Sequence, residues 1–350
     1  MKKKSLIQKL PHNHFGTVGD KVINSLASGI SCSVTGIPGY GMEFFAKFVA
    51  NRLAQNPFKR KVCILNATDP QLVGAKYIKE VVYEALGITS MKPEGRYTVV
   101  VGEVLNAENK ELYIFLSKLR RSLGDKLSIL FVCNYTLIKD QESFIQYDSA
   151  LFHPFYIIPV FDQEKTYNII SMNNTEFNWA IDNKYWPRIY MLSGGNPALI
   201  RNICMAMYEE GDQVLDSSKS LIMIEPLRTR IKDIVLAISE LTIPDSLKLG
   251  IINSDLTPFS PLVSEYLHGN INQEISLLLN DLSDKEKVVI SFMILKKGNY
   301  VTKELLAMIL DQDLETYSEW AMYKFMQRLS LKAKRHFEIK NKRGVGWYLK

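Results

Sequence analysis

The sequence predicts an α/β core built on a parallel sheet covered on both faces, then helices, then a separate C-terminal module of helices and a hairpin. Three observations predict it. Short β-branched runs alternate with helical segments up to Val160, the pattern of strands buried on both sides. A glycine-rich turn, Gly36-Ile37-Pro38-Gly39-Tyr40-Gly41, joins the first of those runs to an amphipathic segment. The excess positive charge is confined to the end of the chain: from Lys285 onward there are 14 Lys and Arg against 7 Asp and Glu, while the rest holds 29 against 30.

Leu10, Phe15, Val18, Val22, Ile23 and Leu26 suit a short amphipathic helix within residues 1–30. Ser31 to Thr35 reads as the first strand, and the helix after the turn runs from Met42 to Leu53, ending before Asn56-Pro57. Lys61 to Asn66 is a second buried strand, followed by a helix from Gln71 to Leu86. Tyr97 to Val104 and Leu127 to Asn134 are nearly continuous apolar runs, separated by the helical period of Leu112, Phe115, Leu116 and Leu119; Phe155 to Val160 is shorter. That makes five strands. Residues 213–281 read as a helical connector, with an apolar period through Ile231, Ile234, Val235, Ala237, Ile238 and Leu241 and a break at Pro258-Phe259-Ser260-Pro261.

With 350 residues, 47% apolar and 23% charged, the chain has room for two or three domains of ordinary globular composition. No apolar run approaches the ~18 residues of a bilayer span, and Met1-Lys2-Lys3-Lys4 leads to Pro11-His12-Asn13-His14 rather than to an apolar stretch. The expected location is the cytoplasm, without membrane contact. Cys32, Cys63, Cys133 and Cys204 are isolated within apolar stretches, which supports neither a disulfide framework nor a metal site and makes them small core residues.

The glycine turn has the spacing of a phosphate loop. A Walker A loop reads G-x-x-x-x-G-K-[ST]; its backbone N–H groups face the phosphates at a helix N-terminus, the Lys reaches the β/γ-phosphates and the hydroxyl holds magnesium. Gly36 and Gly41 match, with Gly39 between them, but Met42 and Glu43 stand where Lys and Ser/Thr belong. These five residues are the degenerate nucleotide-contact set. Gly and Pro also make a tight strand-to-helix turn for no other reason than geometry. The order of landmarks over residues 15–210 resembles AAA+ type P-loop ATPases of the group holding origin-recognition proteins and STAND NTPases. In that resemblance Gly102-Glu103 takes the Walker B place, Asn134 the sensor 1 place, and Ser193-Gly194-Gly195-Asn196-Pro197-Ala198-Leu199-Ile200 the G-G-x-P segment of the helical lid. It implies a P-loop NTPase fold with lid over residues 1–212. The Walker B Asp is missing, and no Arg lies between Leu123 and Pro187 to act as an arginine finger. Four groups that phosphoryl transfer uses are therefore absent, and the expectation is a pseudo-ATPase without catalytic residues or metal. Glu103 and Asn134 are then residual, a strand-end carboxylate and a cap. ATP or ADP binding without hydrolysis is left open by the backbone donors and helix dipole, against the repulsion of Glu43.

The last module, residues 282–350, opens on Leu282-Ser283-Asp284-Lys285-Glu286, where Ser283 and Glu286 form a capping-box signature ahead of Val288, Val289, Phe292 and Leu295. Val301-Thr302-Lys303-Glu304-Leu305 and Arg343-Gly344-Val345-Gly346-Trp347 follow in order. These three motifs resemble the winged helix-turn-helix effector domain of OmpR/PhoB-type response regulators, which implies a recognition helix around Ser318–Arg335 and a basic wing. Met322, Met326, Leu329 and Ala333 form one apolar face of that helix, with Lys324, Arg328 and Arg335 opposite. The expected contacts to double-stranded DNA are Lys324, Gln327, Arg328, Lys332, Arg335, Lys340, Lys342 and Arg343. Residues 321–350 carry nine Lys and Arg and the single acid Glu338.

The favoured reading is a DNA-binding regulator or non-catalytic assembly subunit, in which the degenerate module positions the winged helix within a homo- or hetero-oligomer. The alternatives are an active AAA+/STAND switch or origin-loader-like NTPase with a lysine supplied from elsewhere, and a protein adaptor without DNA affinity.

Overall fold

The computed structural model describes residues 7, 10–11, 13–69, 75–89, 94–104, 110–139, 150–254, 257–267, 269, 282–295, 300–310, 318–334 and 337–350. They fall into two compact units, one of Met1–Trp186 with Gly195–Arg201, the other of Pro187–Gly194 with Asn202–Lys350.

In the first unit, helix α1 (Gly16–Ala27) precedes β1 (Cys32–Gly36), α2 (Met42–Ala54), β2 (Lys61–Asn66), α3 (Ala75–Leu86), β3 (Tyr97–Val104), α4 (Lys110–Leu123), β4 (Leu127–Cys133), β5 (Phe155–Ile158) and α5 (Gln163–Phe177). The five strands form one parallel sheet in the order β2-β3-β4-β1-β5. This is the P-loop-type arrangement that the alternation of elements predicts. β1 starts one residue later than expected. β5 stops at Ile158 because Pro159, with no N–H to donate, cannot extend a ladder. The start of the helix expected from Gln71 lies outside the described residues.

Strand alternation splits the core. Val99 and Val101 of β3 and Ile129 and Phe131 of β4 pack with Leu112, Tyr113 and Leu116 on one face; Val100, Leu130 and Val132 pack with Cys32, Val34, Phe45, Phe48 and Ile158 on the other. All five residues of β1 are buried, so the turn leaves the carboxyl end of a fully enclosed strand. All four cysteines are buried free thiols; burial pushes Cys63 up to about 11 and Cys133 and Cys204 up to about 12, keeping them as neutral packing groups.

At the amino ends of the strands the guanidinium of Arg60, 3% exposed, donates to Thr98 Oγ1 at 2.8 Å, Lys126 O at 3.0 Å, Ala27 O at 3.2 Å and Tyr97 O. Burial, with Arg96 and Arg120 nearby, lowers it to about 10. One planar fork therefore satisfies backbone from α1, β3 and the approach to β4.

In the second unit, α6 (Trp186–Ser193, all but its first residue) and α7 (Pro197–Glu210, from Asn202 on) are followed by α8 (Ser218–Met223), α9 (Glu225–Glu240) and α10 (Ile243–Leu249), the helical lid in the order of elements. Ile231, Ile234, Ala237 and Ile238 bury one face of α9 as their period predicts, joined by Leu227, whereas Val235 is half-buried. The Pro258-Phe259-Ser260 break is anchored by Ser260 Oγ donating to Leu192 O at 2.7 Å.

Residues 282–350 hold a core of their own. Helices α11 (Asp284–Leu295), α12 (Lys303–Ile309) and α13 (Glu319–Ala333) precede an antiparallel hairpin, β6 (Ile339–Lys342) and β7 (Gly346–Leu349). Val301 pairs with Trp347 through two backbone hydrogen bonds of 2.6 and 3.0 Å, adding a one-residue third strand in the manner of a winged helix. Val289, Ile290, Met293, Leu306, Met322, Met326, Leu329, Trp347 and Leu349 meet inside. The capping box forms: Ser283 N donates to Glu286 Oε2 at 2.8 Å, and Glu286 N to Ser283 Oγ at 3.4 Å. Val288 faces solvent, against expectation; the cap fixes the phase of α11, and that phase buries Ile290 and Met293 instead.

Arg60→Ala is expected to lower unfolding stability by roughly 3 kcal/mol, because three carbonyls lose the guanidinium donor while the Thr98 hydroxyl keeps only Ser128 Oγ, at 3.0 Å. Arg60→Lys should recover little of it, since an ammonium cannot reproduce the fork; urea melts of the three proteins check this.

Candidate functional site

The loop after β1 is a tight turn with side chains folded onto it. Tyr40 N donates to Ile37 O at 3.1 Å, with Pro38 and Gly39 at the central positions and Gly39 at φ +82°, as a type II turn requires. Gly41 precedes α2, and its carbonyl accepts Phe45 N at 3.0 Å. Met42 turns back so that its sulfur lies 3.1 Å from where a Cβ on Gly36 would be. Glu43 is exposed and paired with Lys47 one turn along, so Lys47 is directed at a carboxylate of its own helix. A thioether and an ion pair occupy the places where a phosphate loop has its lysine and metal hydroxyl.

The Gly195-Asn196-Pro197-Ala198 segment belongs to the same unit and closes on this turn. Asn196 Nδ2 donates to Pro38 O at 2.9 Å, and Ala198 N to Gly39 O at 3.1 Å. Asn196 Oδ1 meanwhile accepts from Ala198 N and Leu199 N, both at 3.1 Å, and so caps α7. A Cβ on Gly39 would stand 2.9 Å from both Ala198 Cβ and Asn196 Oδ1; one on Gly195 would stand 2.0 Å from the carbonyl oxygen of Phe161. These two glycines are required by close approach. Phe161 N returns a hydrogen bond of 3.1 Å to Gly195 O.

The strand-end residues have local partners. Glu103 follows Gly102 in the left-handed region, at φ +53°, beside an irregularity in the β3–β4 ladder. Its carboxylate accepts from Asn66 Nδ2 at 2.7 Å and Thr68 Oγ1 at 2.8 Å, on the β2 side of the sheet, whereas β4 separates β3 from β1 on the other. Asn134 Oδ1 accepts from Thr136 N at 3.0 Å and caps a short 3-10 turn.

Around the loop, aromatic rings fill space. Tyr40 is buried, with its ring 5.1 Å from Phe161 and 6.2 Å from Phe15. His14 sits edge-on 4.8 Å from Phe15 and 5.3 Å from Phe161, buried, and its Nδ1 has no hydrogen-bond partner among the described residues. Burial first, and the Lys165 ammonium second, bring it from 6.5 down to about 4.

In the C-terminal module, Lys324, Gln327 and Arg328 are exposed on α13, and Lys342 and Arg343 on the hairpin. Lys324 Nζ lies over the Trp320 ring at 5.3 Å and Lys342 Nζ over Tyr300 at 5.5 Å. Two further expected contacts are engaged internally: Lys332 bonds Glu286 at 2.7 Å and Lys340 pairs with Glu338 at 3.4 Å. Arg335 lies outside the described residues. Trp320 lies one turn back from Lys324 on the same stripe of α13.

No family model matches the chain, and no curated protein matches its sequence. Among solved structures it aligns with the RuvB Holliday junction branch migration motor of Thermotoga maritima (12% identity, TM-score 0.42, 100% of this chain and 95% of that one). It aligns likewise with the Aeropyrum pernix Orc1 protein in complex with DNA (13%, 0.44, 99% and 92%). A third is the replication initiator DnaA bound to AMPPCP and single-stranded DNA (13%, 0.43, 91% and 88%).

His14 makes stability depend on pH. The unfolded chain takes up a proton below its ordinary value near 6.5, the folded one only near 4, so stability falls as pH drops through that window. By about pH 5 the loss is roughly 2 kcal/mol. Urea midpoints should drop more between neutral pH and pH ~5 for the wild type than for His14→Phe, whose uncharged ring removes this proton linkage.

Proposed function

We propose that this chain is a DNA-binding protein in which an AAA+-like module without ATPase activity positions a C-terminal winged helix, as a regulator or as the non-catalytic member of an assembly. The observation that carries this reading is the separation of charge. The loop after β1 presents a thioether and a glutamate where phosphoryl transfer needs a lysine and a hydroxyl, while exposed Lys324, Arg328, Lys342 and Arg343 gather on α13 and the hairpin.

The residues at the loop do not fit a bound nucleoside triphosphate with magnesium. Met42 lies across Gly36, the carboxylate of Glu43 stands at the N-terminus of α2, and Glu103 is held by Asn66 and Thr68. A side-by-side assembly with copies of itself or with an active AAA+-type subunit accords with such a module, whose surface can serve where its loop does not.

Two assays on one preparation of the full chain test the proposal. ATP turnover with magnesium is expected at background, and turnover that Glu103→Gln abolishes would overturn the pseudo-ATPase reading. Gel shifts on duplex DNA are expected to weaken steeply with salt; about 4–6 phosphate contacts correspond to a log–log slope near −4 to −5. Replacing Lys342 and Arg343 together by Ala should weaken binding to every sequence and flatten the slope by about 2. Arg328→Ala should cost roughly 1–3 kcal/mol on a preferred site only. Absence of any shift at low salt, with a protein partner still retained, would establish the adaptor reading instead.

A further inference from the structure

The stripe of α13 that points away from its core is centred on apolar side chains. Met322, Phe325, Met326, Leu329 and Ala333 are buried. At about 100° per residue the direction opposite their mean passes through Trp320, Lys324, Gln327 and Leu331, with Arg328 on the flank. Trp320 is 70% exposed and Leu331 67%. Duplex phosphates are met well enough by cations alone, so a basic surface gains nothing on its phosphate side from an indole at its centre. Stacking gives the indole a use, because every base has a π-face, and an aromatic platform within a basic surface is how unpaired strands are held.

We infer that α13 binds DNA carrying unpaired bases in preference to intact duplex, with Trp320 as the side chain on which an unpaired base stacks. The inference rests on the DNA-binding reading above and narrows it. The Lys324 ammonium lies over the indole at 5.3 Å, which leaves the opposite ring face for a base and sets a cation beside its phosphate. Glu319, the adjacent acid, is paired with Lys303, and Lys303 itself lies over Tyr323 at 5.9 Å. Lys342 over Tyr300 repeats the arrangement. Aromatic rings and cations are thus interleaved on this module. Leu331, three turns beyond Trp320 and about 16 Å along the axis, supplies an apolar contact of the kind a sugar face or thymine methyl accepts. A protein partner is the less suited occupant, because the centres of protein interfaces are depleted of charge, whereas Trp320 is bordered by Lys324.

The test uses the full chain and two fluorescent DNA probes of one sequence, an intact duplex and the same duplex interrupted by a run of unpaired bases, titrated by anisotropy at one salt concentration. Wild type should bind the interrupted probe about tenfold more tightly, the range expected for one stacked base. Trp320→Ala should erase that preference while leaving duplex affinity within about twofold, and Trp320→Phe should keep most of it, since a phenyl ring still stacks. Wild-type binding without preference, an equal loss on both probes in Trp320→Ala, or a Phe variant that behaves like Ala would each overturn the inference while leaving duplex binding intact as a reading. Binding to neither probe would overturn the DNA reading and this inference with it.

Discussion

The first unit is organised by the contact between the turn at Pro38-Gly39 and the segment Asn196-Pro197-Ala198. Two carbonyls of an enclosed turn must find donors, and they find them in the Asn196 amide and the Ala198 N–H. That requirement admits no side chain at position 39, fixes where α7 begins through the other end of the same Asn196 side chain, and brings Gly195 against the backbone of Phe161. The aromatic cluster of His14, Phe15, Tyr40 and Phe161 then packs beside the loop as ordinary core. A phosphate loop is open toward its ligand; this one is satisfied by its own chain on its carbonyl side and covered by Met42 over Gly36.

Much of this was legible in the residues. Tyr97–Val101 and Leu127–Cys133 are apolar, β-branched and too short for ordinary helices, which reads as strands buried on both faces, and their spacing with helices leads to a parallel sheet. Ser283 and Glu286, three apart, form the reciprocal cap that their spacing implies. Helix α5 was not legible, because two of the three residues it buries, Thr166 and Asn173, are polar and leave no apolar stripe. The phase of α11 was misread because Val288 to Leu295 is apolar almost throughout, and such a run does not indicate which side faces inward.

The site was legible in its absences and illegible in its partners. That the loop lacks a lysine is plain at Met42, but nothing local says that its sulfur folds over Gly36. Glu103 meets Asn66 across a gap of 37 residues, and Lys332 meets Glu286 across 46. Such pairs arise from topology rather than from pattern. Counting Lys332 and Lys340 with the exposed cations overlooked their carboxylate partners, whereas Lys324, Gln327 and Arg328, all within two turns of one helix, follow from the helical period.

Glu286 ties two helices of the C-terminal module together. Burial would raise its carboxyl, yet the Lys332 ammonium and the Ser283 N–H and hydroxyl hold it below the usual carboxylate range, so it stays an anion shared between the first turn of α11 and the last turn of α13. Separating α13 from the first turn of α11 would therefore break an ion pair and a helix cap at once, and leave a buried carboxylate without its partners.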